Sequence, residues 1–247
     1  MSEASIHEIF SGIQGEGLYV GRRHLFVRFS CCNLSCRYCD TPGARRPVKL
    51  AEIERRAGRR EFDDVPNPIS SADLADRVLS LDTPPFHRSI CLTGGEPLLQ
   101  AECISELLAR CPDRHIYLET NGSLPDKLVE VIDLVDTVAM DIKLESAAGC
   151  AVEPEVSSRF LELAARREVF VKVVVSGAAR PDAVNRVARL VASVDRSIPL
   201  VLQPVTAGAA GIGPILPDRM LELQERCLGE LDDVRVIPQT HRILGQR

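Results

Sequence analysis

Apolar runs rich in β-branched residues alternate with amphipathic stretches along most of this chain, and that alternation restricts its fold more than any other feature. The runs at 24–30, 89–93, 115–120, 136–142, 169–175, 199–205 and 233–239 read as strands. Stretches at 70–81, 98–110, 125–133, 155–167, 181–194 and 217–228 read as helices. Ser70-Ser71-Ala72-Asp73 is a capping signal, and Pro181 and Pro217 sit where a first helical turn accepts proline. Strand–helix alternation implies parallel strands joined by helical crossovers. The units are too few for a closed eight-fold barrel. The expected class is therefore α/β, a partial, open β/α barrel of about six parallel strands. In such sheets ligands gather at the carboxyl ends of the strands. Residues 1–247 read as one domain, with 43–68, charged and weakly periodic, as a surface excursion.

A net charge of −5 gives no reason to expect a nucleic-acid or membrane partner. The start, MSEASIHEIF, lacks the apolar stretch of a signal peptide, and no run approaches a membrane span. The expected location is the cytoplasm, where thiols stay reduced and a disulfide framework is out of place.

Nine cysteines in such a chain need another explanation, and SCCNLSCRYCDT concentrates four of them. Cys32, Cys36 and Cys39 follow a predicted strand with the spacing C-x3-C-x2-C. Three thiolates from one loop suit a [4Fe–4S] cluster with one iron left open. A zinc site would want a fourth ligand, and nearby His24 lies at the far end of the strand. A redox pair would leave Cys32 unexplained, and small buried thiols are the remaining reading. Cys91, Cys103, Cys111 and Cys227 read as packing residues, while Cys150, in a loop, has no assignment.

With Tyr38 before its last cysteine, the loop resembles the signature of the radical S-adenosylmethionine superfamily. TGGEP at 93–97 then resembles the superfamily's GGE motif, which contacts the cofactor amino group. In that turn Gly95 allows close approach to a ligand, and Glu96 could accept from an ammonium. Glu119, Asn121, Lys143 and Gln203 stand at later strand ends, on what would be one rim.

A more specific resemblance is carried by QGEG at 14–17 beside C-x3-C-x2-CDT, with ETNG, QP and a late PQTH. It points to the 7-carboxy-7-deazaguanine synthase family. The resemblance implies a lyase that converts 6-carboxy-5,6,7,8-tetrahydropterin to 7-carboxy-7-deazaguanine with loss of ammonia, regenerating its S-adenosylmethionine. It gives Ile13, Gln14, Gly15 and Glu16, Thr93, His241 and the terminal Arg247 to the pterin, and Arg28 to its carboxylate. Tyr38, Cys39, Asp40, Gly95, Asp141, Ile142, Lys143, Gln203, Pro204, Val205 and Thr206 go to S-adenosylmethionine, and Thr41 to Mg2+. The residues agree chemically: Gln14 and Glu16 match the donor–acceptor edge of a pterin, and Arg28 offers a fork to a carboxylate. The resemblance also implies a homodimer and a flavodoxin or ferredoxin as electron donor. Three features depart from it: Asp141-Ile142-Lys143 replaces Ser-x-Lys, Cys31 replaces a glycine, and the tail runs on to Gln246-Arg247. A glycyl-radical activating enzyme would share the cysteine and GGE motifs but not QGEG with PQTH.

Overall fold

A computed structural model describes residues 1–82, 86–206 and 213–246. In chain order the strands are β1 Glu3–Ala4, β2 Ile6–Ile13, β3 Arg23–Phe29, β4 Leu50–Glu54, β5 Phe62–Pro66, β6 Ile69–Ser70, β7 Ser89–Gly94, β8 Ile116–Thr120, β9 Thr137–Asp141, β10 Glu168–Val175, β11 Leu200–Pro204 and β12 Val234–Val236. The helices are α1 Ser71–Leu81, α2 Ala101–Leu108, α3 Pro125–Val129, α4 Glu145–Ala148, α5 Pro154–Ala164, α6 Pro181–Val194, α7 Pro217–Leu228 and α8 Thr240–Ile243.

The main sheet has the order β12-β11-β10-β9-β8-β7-β3-β2-β4-β5, and β1 pairs with β6 apart from it. From β3 to β12 every neighbouring pair is parallel, as the alternation predicts. Helix starts obey the local signals: Ser70 Oγ accepts the Asp73 amide at 3.2 Å, and Pro125, Pro154, Pro181 and Pro217 open α3, α5, α6 and α7. Beyond the predicted strands, β2 runs antiparallel to β3 and lies parallel to β4, whose hairpin with β5 extends the sheet. That hairpin occupies part of 43–68, where Ala44, Ala51 and Ile53 are buried and Ala57 and Val65 pack against the core.

Side chains alternate across each strand, so the sheet has two faces with different contents. Leu25, Val27 and Phe29, with their counterparts on the other parallel strands, pack against the helices in a large apolar core. The opposite, concave face is layered. His24, Thr137 and Glu168 lie low; Phe26, Cys91, Tyr117, Ala139, Phe170 and Val201 form an apolar middle. Arg28, Thr93, Glu119, Asp141, Lys172 and Gln203 stand at the carboxyl ends above them.

Candidate functional site

A cavity of about 440 Å3 opens over that apolar layer. Strand ends supply its wall, and three loops complete it. The 14–22 loop, between antiparallel β2 and β3, crosses the concave face. Gln14 Nε2 donates to Glu119 Oε1 at 2.8 Å, Glu16 pairs with Lys172, and Tyr19 Oη donates to Glu168 Oε2 at 3.0 Å. Helix α8 then closes over the loop. The Thr240 amide donates to the Gly15 carbonyl at 2.9 Å, and a Cβ at Gly15 would lie 2.2 Å from His241 Nδ1. Only glycine admits that contact.

The cysteine loop supplies a further wall. Cys32, Cys36 and Cys39 all line the cavity, and none is in a disulfide. Burial pushes the Cys36 thiol up to about 12 and raises that of Cys32 as well. Such thiols become thiolates only beside a strong positive charge, which bound iron provides. Cys36 Sγ lies 3.6 Å from Cys150 Sγ, which places the unassigned cysteine beside the loop. The glycine turn packs directly beneath: a Cβ at Gly95 would meet the Cys31 carbonyl at 2.0 Å, and the Glu96 amide donates to that carbonyl at 2.8 Å.

Most residues singled out from the sequence meet here: Ile13, Gln14, Gly15, Glu16, Arg28, Tyr38, Asp40, Thr41, Thr93, Gly95, Asp141, Lys143, Gln203, Val205, Thr206 and His241 all border the cavity. Glu96, Ile142 and Pro204 do not. Glu96 is fully buried and accepts from Thr120 Oγ1 and the Asn121 amide, both at 2.8 Å, while burial lifts its carboxyl to about 7. Ile142 belongs to the helix-side core. Arg247 lies outside the described residues.

Arg28, half-buried, is held in an ion pair, with Nε 2.7 Å from Glu8 Oε1, and its Nη1 reaches Thr41 Oγ1 at 3.5 Å. Thr41 Oγ1 also donates to Asp40 Oδ1 at 3.1 Å. Glu16, Asp40 and His241 form a polar corner whose ligating atoms lie within 4.8 Å of one another. Lys172, Glu8 and Gln239 belong to the same constellation, and sequence reasoning did not single them out as site residues. Alternation within VFVKVVV was the available signal for Lys172: a lone charge among buried apolar residues must face a partner or a cavity.

Buried acceptors and donors without protein partners mark where a polar ligand fits. Tyr38 Oη, Asp141 Oδ1 and Gln203 Oε1 are in this state, and all three residues border the cavity. Lys143 Nζ pairs with Asp141 Oδ2 at 2.8 Å and lies 5.3 Å from the centre of the Tyr38 ring.

The profile of the radical SAM superfamily matches residues 26–148, the stretch that carries the cysteine loop and the GGE turn. Fold and site together define a protein of that class. Over 98% of this chain and 98% of the relative, the sequence is 43% identical to the 7-carboxy-7-deazaguanine synthase of Geobacter sulfurreducens. Identity to the enzyme of the same name from Methanothermobacter thermautotrophicus is 37% across 100% and 99% of the two chains. The chain belongs to the 7-carboxy-7-deazaguanine synthase family. The crystal structure of QueE from Escherichia coli has a similar fold, with a TM-score of 0.62 at 21% identity over 96% of this chain and 94% of that one.

Proposed function

We propose that this protein is a carbon–nitrogen lyase that converts 6-carboxy-5,6,7,8-tetrahydropterin to 7-carboxy-7-deazaguanine with release of ammonia. The observation that carries this reading is one cavity bordered at once by three free thiols, the GGE turn and the QGEG loop under its C-terminal helix. A concave site of about 440 Å3 suits a pterin better than the polypeptide segment that a glycyl-radical activating enzyme must admit.

In this reading Cys32, Cys36 and Cys39 hold a [4Fe–4S] cluster, and their unbridged thiols, Cys36 buried and the other two half-buried, suit it. Cluster and S-adenosylmethionine, when bound there, would supply the radical chemistry that reaction at carbon 6 of the pterin calls for. The chain's own residues position the reactants. Tyr38, Asp40, Gly95, Asp141, Lys143 and the Gln203–Thr206 segment receive S-adenosylmethionine, whose hydroxyl and ammonium donors suit the unpartnered Asp141 Oδ1 and Gln203 Oε1. Gln14, Glu16 and Thr93 read the pterin edge, with His241 closing over it, and Arg28 receives the carboxylate. Thr41, beside Asp40, offers a hard oxygen to Mg2+. The apolar floor of Phe26, Tyr117 and Phe170 would keep water from the reacting carbon. A flavodoxin- or ferredoxin-type donor, a homodimer and a cytoplasmic setting complete the reading. Among the described residues no helix is long and apolar enough to cross a membrane.

The test is an anaerobic assay of cluster-reconstituted protein with reductant, Mg2+, S-adenosylmethionine and the carboxytetrahydropterin, read by mass spectrometry. Product beyond one equivalent of S-adenosylmethionine is expected. Deoxyadenosine without deazaguanine would refute the substrate. Cys36→Ala should hold no cluster and turn nothing over; a full iron content in that variant would refute the ligand set.

A further inference from the structure

Lys172 belongs to no motif, yet its ammonium joins two sides of the cavity. It pairs with Glu16 Oε2 and lies 3.0 Å from Asp141 Oδ2. Asp141 Oδ2 also takes Lys143 Nζ at 2.8 Å, so cation and anion alternate from Lys143 to Glu16. Beyond Glu16, Oε1 accepts from Gln239 Nε2 at 2.7 Å, and the same amide reaches Asp40 Oδ2 at 3.0 Å. Thr206 donates its hydroxyl to Gln239 Oε1. One unbroken polar chain therefore runs from the end of β9, across β10, to the 14–22 loop and the C-terminal segment.

The lysine is held for this place. It stands in register with Asp141 on β9, between Val171 and Val173, which are fully buried on the helix side. Its side chain is 15% exposed, and an ammonium so enclosed is tolerated only when paired. Burial works to deprotonate it, but Asp141 and Glu16 prevail and hold it charged. Glu16 shows the reciprocal effect: burial would raise its carboxyl, and Lys172 keeps it below the ordinary range. A neutral residue at 172 would leave two inward carboxylates short of a counter-charge.

One oxygen of the chain is still unused. Asp141 Oδ1 is buried without a hydrogen-bond partner, a state that favours the arrival of a donor. Any turn of that carboxylate to meet a ligand moves Oδ2, and with it Lys172 and Glu16.

We infer that Lys172 is a positioning residue that couples the two ligand sites, so that S-adenosylmethionine settled at Asp141 fixes Glu16 for the pterin. The inference rests on the ligand assignment proposed above. Such coupling is reciprocal: each ligand tightens the other by the same factor.

The experiment is anaerobic calorimetry on the cluster-loaded protein without reductant, so that nothing turns over. S-adenosylmethionine is titrated with and without the carboxytetrahydropterin, and then the reverse. The wild type should show mutual tightening of about 5–150-fold. Lys172→Met should bind both ligands with the factor reduced to near one, and Lys172→Arg should restore most of it. A merely damaged fold would weaken both affinities and leave their ratio unchanged. Should Lys172→Met fail to fold or load its cluster, Lys172→Gln, which keeps a polar head there without the charge, should likewise bring the factor to near one. A wild type whose ligands bind independently, or variants that keep the wild-type factor, would overturn the inference. Absence of any pterin binding to the wild type would overturn the substrate reading as well, which separates the two failures.

Discussion

Cys31 stands where the family resemblance favours glycine, and its backbone explains why: φ is 77°, in the left-handed region. The turn is held because the Cys31 carbonyl accepts the Glu96 amide. A side chain in this conformation costs about 1–2 kcal/mol, partly offset by the greater unfolded freedom of glycine. Cys31→Gly should therefore stabilise the protein by roughly 0.5–1 kcal/mol. Thermal unfolding measures this, and a lowered midpoint would contradict it. His24 is the converse case, a polar group enclosed by the rings of Tyr19, Phe26 and Tyr117 with both ring nitrogens unpartnered. Burial, followed by the nearby His115, Arg88, His87 and Arg22, pushes its pKa down to about 3 from 6.5. The unfolded chain thus binds a proton that the folded one refuses, and stability falls as pH drops from about 6.5 towards 3. His24→Phe should flatten this part of the stability–pH curve, as denaturant melts across that range would show. An unchanged slope would shift the blame to other groups.

Among the elements, α8 and the 14–22 loop act as a pair. The loop is delivered by the β2–β3 hairpin, in which Ile13 faces Arg23, and the helix rests on it through Gly15. A further tie comes from the β4–β5 connection, where Arg60 Nη2 donates to the Gly245 carbonyl at 2.6 Å. Gly15→Ala should thus drive His241 and α8 away while leaving the sheet intact. Since small displacements of positioning groups can cost about 100-fold, a loss of that order in kcat/KM is expected, with normal cluster content and circular dichroism. Full activity would mean that α8 has no part in holding substrate. The predicted strands and helices recur here because periodicity and caps act locally. The β4–β5 hairpin escaped because its charges interrupt the apolar period, leaving Ala51 and Ile53 on β4 and Phe62 and Val65, three residues apart, on β5.

At the scale of the molecule, stability and chemistry occupy different faces of one sheet. The large core lies between sheet and helices, and the cysteine loop sits at the rim. Removal of the iron by a chelator should therefore abolish turnover while far-UV dichroism and a single cooperative melt survive. Collapse of the helical signal would mean that the cluster holds the fold, as structural zinc does in small domains. Local features are legible in the chain alone: strand and helix positions, the inward-facing set within each strand, and a cysteine spacing that only a few kinds of centre suit. Those follow from periods of 2.0 and 3.6 residues and from the short reach of one loop. The tertiary structure alone decided which groups meet: Glu16 with Lys172, Gln14 with Glu119, Thr240 with Gly15, Arg60 with Gly245. Alternation says which face a side chain takes, but its partner across the sheet depends on strand order, register and the path of the loop above. No short stretch of sequence encodes these.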